Sequence, residues 1–317
     1  MMKRKLPTVK SGLVIMLVLV ICSACNNHNK IEKDFTKEYE TLSGEYLVLG
    51  LVNDTDLTEH GVVYLNSITD NLNIQFANLT DSDTEYILKL FLNYVEIPFF
   101  MDGNYMDSYV FTAKSKESLI IPVSLDENIS FENSHILTVA VLTYPGKYAY
   151  KSEVMSNSYG LVMSYELANK NGGRYLAEKT KAKEPMEYLR LEYQGLMLNM
   201  DFATEENVPV NFPPYQIKAK PNDTVNVAYR AGNYENAEDV IIIVLVEWEQ
   251  KEINNENFLH IVNKTGFMSF GHIEFITPLE KGEYEITAFI VESPYDIKNS
   301  DNFHFHDKAH RFTLIVE

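Results

Sequence analysis

The chain has 317 residues, a formal charge of -18, 45% hydrophobic residues, two cysteines and one tryptophan. That length suits two ordinary domains, and the apolar content excludes wholesale disorder. The acidic balance, with no basic patch in the folded part, excludes a phosphate-backbone partner, so no nucleic acid is expected.

Residues 1–25 read as an export signal. Lys3, Arg4, Lys5 and Lys10 form a basic n-region, and residues 13–21 form an apolar run too short to span a bilayer as a stable helix. Cys22-Ser23-Ala24-Cys25 follows and resembles the lipobox of bacterial lipoproteins, in which small residues precede a cysteine that is diacylated and becomes the mature N-terminus. It departs from that pattern at Cys22, where a leucine is usual. The resemblance implies lipidation at Cys25 and a palmitate-type anchor on the extracytoplasmic face of the cell membrane. Cleavage there removes four positive charges, leaving -22 from -18, and leaves no cysteine free to form a disulfide. The core must then hold by packing alone. Residues 26–45 are polar, lack a strong period and read as a tether.

From residue 46 onward the apolar residues fall in short β-branched and aromatic runs broken by Asn, Asp, Gly and Pro, an all-β pattern. The expected strands of the first set are 46–52, 62–65, 72–78, 86–97, 108–113, 118–125, 135–143 and 159–166. A second set is expected at 188–200, 216–219, 225–229, 240–249, 258–262, 271–277, 284–292 and 310–316. The two sets align at an offset of about 150 residues, the spacing of one domain. Residues 72–76 meet 225–229, 88–94 meet 241–247, and 135–145 meet 284–294. The expected organisation is a tandem repeat, with one domain over 46–167, a linker over 168–187 marked by Gly172, Gly173 and Pro185, and a second domain over 188–317.

The stretch Leu279-Glu280-Lys281-Gly282-Glu283-Tyr284 precedes an apolar strand and resembles the tyrosine corner of immunoglobulin-like and fibronectin-like sandwiches. The resemblance implies two tandem immunoglobulin-like antiparallel β-sandwiches, with Gly282 making the tight turn and the Tyr284 hydroxyl bonding back to nearby backbone. In the first repeat His135 stands at the tyrosine position and is expected to take over its hydrogen bond. Residues 240–246 are apolar on both faces, which suits a strand covered on one side by a neighbouring domain. Trp248 is expected in the core on the face shared by Ile242, Val244 and Val246.

Chemistry-bearing motifs are scarce. No phosphate loop, nucleophile elbow, HExxH or CxxC pair is present, so no catalytic residue is expected and no cofactor is implied. Asp54, Asp56, Asp81 and Asp83 lack the glycine and distal glutamate of a calcium loop and read as solvated turns. His304, His306 and His310 are the candidate metal ligands. Two histidines two apart on a strand share a face, although the spacing to Asp307 and His310 differs from the HxHxDH of metallo-hydrolases. The candidate recognition patch is Phe99, Phe100, Met101, Tyr105, Met106 and Tyr109, a turn-bearing stretch dense in large apolar side chains that could instead close the end of the sandwich. Tyr148, Tyr150 and Tyr159 form a second tyrosine-rich candidate, expected at the opposite end of the domain.

Taken together, the sequence predicts a non-catalytic cell-surface lipoprotein that binds or spaces an extracellular or membrane protein or a cell-wall glycan. The alternatives are a metal-binding or hydrolytic exported protein using the C-terminal histidines, and a solute-binding lipoprotein. The last would be α/β rather than all-β.

Overall fold

The computed structural model describes residues 47–52, 61–147, 157–158, 160–171, 179–190, 194–199, 216–235, 237–296 and 309–317. The signal, Cys25 and the tether lie outside the described residues, as do Asp54, Asp56, Tyr148, Tyr150, Tyr159, His304 and His306. The regular structure among the described residues is strand, consistent with a chain whose β-branched and aromatic runs are too short and too evenly punctuated for helices.

The first half carries β1 (Leu47–Val52), β2 (Val62–Leu65), β3 (Leu72–Asn78), β4 (Thr84–Leu92), β5 (Val95–Ile97), β6 (Phe99–Met101), β7 (Asn104–Met106), β8 (Tyr109–Ala113), β9 (Glu117–Val123), β10 (His135–Thr143), β11 (Asn157–Ser158) and β12 (Gly160–Asn169). The second half carries β13 (Glu187–Leu189), β14 (Gly195–Asn199), β15 (Gln216–Ala219), β16 (Thr224–Gly232), β17 (Asp239–Val246), β18 (Glu249–Gln250), β19 (Leu259–Val262), β20 (Met268–Ile276), β21 (Gly282–Glu292) and β22 (Ala309–Val316).

One sheet of the first sandwich has the order β1-β3-β9, and the other β2-β12-β10-β4-β5 with β8 on the first half of β4. The second sandwich repeats this plan. Its sheets are β14-β16-β20, extended by β13, and β15-β22-β21-β17-β18 with β19 on the first half of β17; β11, from the first half of the chain, pairs with the start of β22. In each, one short edge strand runs parallel to the last strand, β2 to β12 and β15 to β22, while the remaining pairs are antiparallel. The chain therefore folds as two tandem immunoglobulin-like β-sandwiches. Each has its own core, around Phe76, Leu90 and Val139 in the first and Ile242, Ile273 and Phe312 in the second.

A third apolar layer joins them. Ile87, Phe91, Ala140 and Val162 on the outer face of one sheet meet Ile241, Ile243, Leu245 and Phe289 on the outer face of the other. Phe91 and Phe289 cross edge to face with centroids 5.5 Å apart. This explains the doubly apolar pattern of residues 240–246: Ile242, Val244 and Val246 fill the second core, while Ile241, Ile243 and Leu245 fill the seam.

Both long strands expected from the sequence are interrupted. Residues 86–97 split at Asn93 (φ 51°) and Tyr94 (φ 69°), and residues 240–249 split at Glu247 (φ 49°) and Trp248 (φ 70°). Positive φ at both central residues makes each a type I′ hairpin turn. Aligning the turns places Asn93 on Glu247, one residue away from the sequence alignment, which reverses the faces of this strand. It also corrects Trp248. Past the turn its ring leaves the face of Val246 and packs half-buried on the seam, with the Arg311 guanidinium 4.9 Å from its centroid.

Candidate functional site

The seam is built from equivalent residues of the two repeats. At the first position of each turn a side-chain oxygen accepts a backbone N–H from the neighbouring strand: Asn93 Oδ1 from Ile136 at 2.9 Å, and Glu247 Oε1 from Glu285 at 2.5 Å. At the second position an aromatic ring reaches toward the other repeat. Tyr94 is fully buried, donates its hydroxyl to the Pro294 carbonyl, and meets Phe258 and Tyr295 edge to face. Burial raises its phenol pKa well above the ordinary value, with Tyr295 and Asp239 adding to the shift.

Glu96 and Gln250 occupy matching places after the turns and bond reciprocally. Glu96 N–H donates to Gln250 Oε1 at 2.6 Å, and Gln250 N–H donates to Glu96 Oε2 at 2.5 Å. Lys89, buried, forms an ion pair with the same glutamate. Such mutual exchange between equivalent positions is the mark of an isologous, two-fold interface, here formed within one chain. Arg311 completes the seam. Its Nε donates to Glu285 Oε1 at 2.9 Å, and its terminal nitrogens donate to the carbonyls of Thr143, Tyr144 and Lys147 in the first repeat at 3.1, 3.4 and 2.7 Å. Burial lowers the Arg311 pKa, opposed by Glu285 and Glu247. The buried charges are thus paired and hydrogen-bonded.

The aromatic stretch forms a hairpin, β6 with β7, joined by Asp102 (φ 51°) and Gly103 (φ 76°) and fastened by reciprocal bonds between Phe100 and Ser124 at 2.9 and 3.0 Å. The six residues divide in two. Phe99 is fully buried in the first core, and Met101, Met106 and Tyr109 pack half-buried against it, so these four close the end of the sandwich rather than face solvent. Phe100 and Tyr105 lie on top, with centroids 4.8 Å apart and Tyr105 55% exposed. The Tyr105 phenol pKa is raised by local desolvation, then by Asp126 and Asp107.

At the corner of the second sandwich, the Tyr284 hydroxyl donates to the Glu280 carbonyl at 2.8 Å. Gly282 is outside the left-handed region, contrary to the expected turn role. A Cβ there would meet the Tyr284 ring at 3.4 Å, an ordinary van der Waals contact, so the ring does not itself demand a glycine. In the first sandwich His135 Nε2 donates to the Ser130 carbonyl at 2.6 Å, and its Nδ1 accepts from Asn93 at 3.1 Å. Asp81 pairs with Lys116 at 2.8 Å, and Asp83 accepts the Ser115 N–H at 2.8 Å, both local turn contacts.

Of the three C-terminal histidines, only His310 is described. It lies buried in β22 opposite Ala288 and Asn157, and burial lowers its pKa to about 4. Among the described residues no group of three His, Cys, Asp or Glu side chains is arranged to hold a metal ion.

One constellation escaped the sequence. His260, buried in β19, has Nε2 at 2.9 Å from Asp239 Oδ2 on β17 and Nδ1 at 2.9 Å from Thr180 Oγ1. Thr180 is exposed and begins a strap that runs along β19, where Lys183 exchanges backbone bonds with His260 and Val262 at 2.9 and 3.0 Å. The Tyr295 hydroxyl lies 2.9 Å from Thr180 Oγ1 and accepts the Thr180 N–H at 3.2 Å. These residues are 59, 21 and 35 positions apart along the chain in their order 180, 239, 260 and 295, and no local spacing announces them.

The architecture defines a chain of two immunoglobulin-like sandwiches. No family model matches it, and no curated protein matches its sequence. Among solved structures it is similar to red sea bream transglutaminase, at 10% identity over 92% of this chain and 34% of that one, with a TM-score of 0.22. The chain thus spans about a third of that protein's length. It is similar to the YadV chaperone at 8% identity over 84% and 99% of the two chains, TM-score 0.27. It is also similar to the E. coli chaperone DraB at 11% identity over 85% and 98%, TM-score 0.27. At such scores the architecture rests on the strand pairing described above.

Proposed function

We propose that the protein is a binding or scaffold module, anchored by lipidated Cys25 on the extracytoplasmic face of the cell membrane, that presents a recognition surface to an extracellular or membrane protein or a cell-wall glycan. The observation that supports this reading most directly is the β6–β7 hairpin, which carries Phe100 and Tyr105 outward while Phe99 roots it in the core. An exposed Tyr105 beside a half-buried Phe100 on a rooted hairpin loses little entropy on binding. The buried polar groups of the seam, Arg311, Glu285, Lys89 and Glu96, are engaged in joining the sandwiches, which suits a rigid spacer. The tether would supply reach and the anchor local concentration.

The test is crosslinking capture from intact cells with the anchored protein and a Phe100→Ala/Tyr105→Ala variant. Capture of a partner by the wild type and its loss in the folded variant is the expected result. Identical capture by both refutes the hairpin as the site. A Cys25→Ser variant should leave the membrane fraction.

A further inference from the structure

We infer that Thr180, His260 and Asp239 form a nucleophile relay able to cleave small acyl esters, an activity beyond the recognition reading and independent of it. The hydrogen bonds fix the proton directions. The Asp239 carboxylate only accepts, so at 2.9 Å it takes the Nε2 proton of His260. Nδ1 of the neutral imidazole is then a lone pair, and the Thr180 hydroxyl 2.9 Å away donates to it. The Tyr295 hydroxyl, 2.9 Å from the same oxygen, donates to Thr180 Oγ1. A hydroxyl donating to an imidazole that a carboxylate orients is the arrangement that activates a nucleophile, and it is recognised by geometry and roles rather than sequence order. His260 and its carboxylate link are largely covered, whereas Thr180 is exposed, so the base is held in place and the nucleophile is accessible. Tyr295 O–H is committed to Thr180 Oγ1 and the Thr180 N–H to the Tyr295 oxygen, so the pair holds the nucleophile in place beside its base.

The step balances without a co-reactant other than water. Thr180 Oγ1 bonds to the ester carbon and its proton passes to His260 Nδ1; the ester C–O bond breaks and the leaving oxygen takes that proton as an alcohol. Water then attacks the acyl-threonine, passes its proton through His260 to the threonine oxygen, and releases the carboxylic acid. A secondary hydroxyl on an open strap favours a small, activated acyl group. Asp239 acts through His260 and is a positioning residue.

The experiment treats the exported chain with a fluorophosphonate probe, whose fluoride is displaced by an activated hydroxyl, and follows p-nitrophenyl acetate hydrolysis alongside. The expected result is labelling of Thr180, lost in Thr180→Ala and His260→Gln, and retained in Thr180→Ser, which keeps the strap bond and so controls for folding. Asp239→Asn should lower kcat at least tenfold at neutral pH while KM and circular dichroism are unchanged. Absence of labelling on the folded wild type, or labelling that survives Thr180→Ala, overturns the inference. The Phe100→Ala/Tyr105→Ala variant should label as fast as the wild type, so loss of partner capture and loss of labelling report on separate claims.

Discussion

His310 makes acid stability a direct test of how the second sandwich is packed. Its pKa is lowered from 6.5 to about 4 by burial in β22. The folded state therefore refuses a proton that the unfolded chain accepts near its ordinary pKa, so stability is lost as the pH falls below the unfolded pKa. The contribution is fully present above pH ~6.5, declines through the window down to about 4, and levels off once both states are protonated. A difference of about 2.5 pH units at ~1.36 kcal/mol per unit gives about 3 kcal/mol. The assay is denaturant unfolding at several pH values between about 7 and 4 for the wild type and His310→Gln, which removes the titration and leaves every other histidine and carboxylate in place. The wild type should lose about 3 kcal/mol relative to the variant across that window. A wild-type-minus-variant difference flat to within ~0.5 kcal/mol would show that His310 is not held neutral in a dry site.

Three further outcomes concern the seam, the hairpin and the corner. Arg311→Ala should destabilise the chain by about 3–5 kcal/mol in equilibrium unfolding, because it leaves the Glu285 carboxylate buried without its cation and strips the carbonyls of Thr143, Tyr144 and Lys147; a loss under ~1 kcal/mol would mean that the pair is solvated. Phe99→Ala should cost about 3–5 kcal/mol through the cavity it opens in the first core, whereas Phe100→Ala should cost less than about 1 kcal/mol, and equal costs would contradict the inward and outward division of the hairpin. Tyr284→Phe removes the hydroxyl bond to the Glu280 carbonyl at a partly exposed corner and should lower stability by about 0.5–1 kcal/mol, measured by the same unfolding; no change would make the ring, not the hydroxyl, the operative part.

The strand pattern, the repeat and the corner were legible because each rests on a local rule. Alternation of apolar and polar residues marks 72–76, and a tyrosine two residues after a glycine marks the corner at Tyr284. The doubly apolar run at 240–246 carried a tertiary signal as well, since a strand with two dry faces requires a second layer. What was hidden lies in turns without the usual chemistry. Type I′ turns normally carry asparagine and glycine, and Asn93-Tyr94 or Glu247-Trp248 reads as uninterrupted strand. Missing those turns shifted the alignment of this strand by one residue and put Trp248 in the wrong layer. The recognition stretch was found by composition, but composition cannot tell Phe99 from Phe100, which face opposite ways only once β6 is paired. The relay of Thr180, Asp239 and His260 was out of reach, because a strap, a strand and its edge neighbour meet there only through the fold.

The hidden turns are also where the two repeats become one body. A bulky residue at positive φ is strained, and such strain persists where surrounding structure over-determines it. Here the same strain occurs twice at equivalent positions, and each time the first turn residue clamps the neighbouring strand of its own sandwich while the second sends an aromatic ring into the seam. The final strand turns of the two repeats match as well, with Tyr144 (φ 59°) before Pro145 and Ser293 (φ 42°) before Pro294. Tyr144 and Pro294 each offer a carbonyl to the other repeat, to Arg311 and to Tyr94 respectively. A repeat that keeps one face for its twin can place both copies with a single set of contacts used twice, as a two-fold dimer does. That arrangement commits the β4–β10–β12 and β17–β21–β22 faces to each other. That leaves the outer sheets, the strand edges and the loop ends outside the seam, which is where the β6–β7 hairpin and the Thr180 strap both lie.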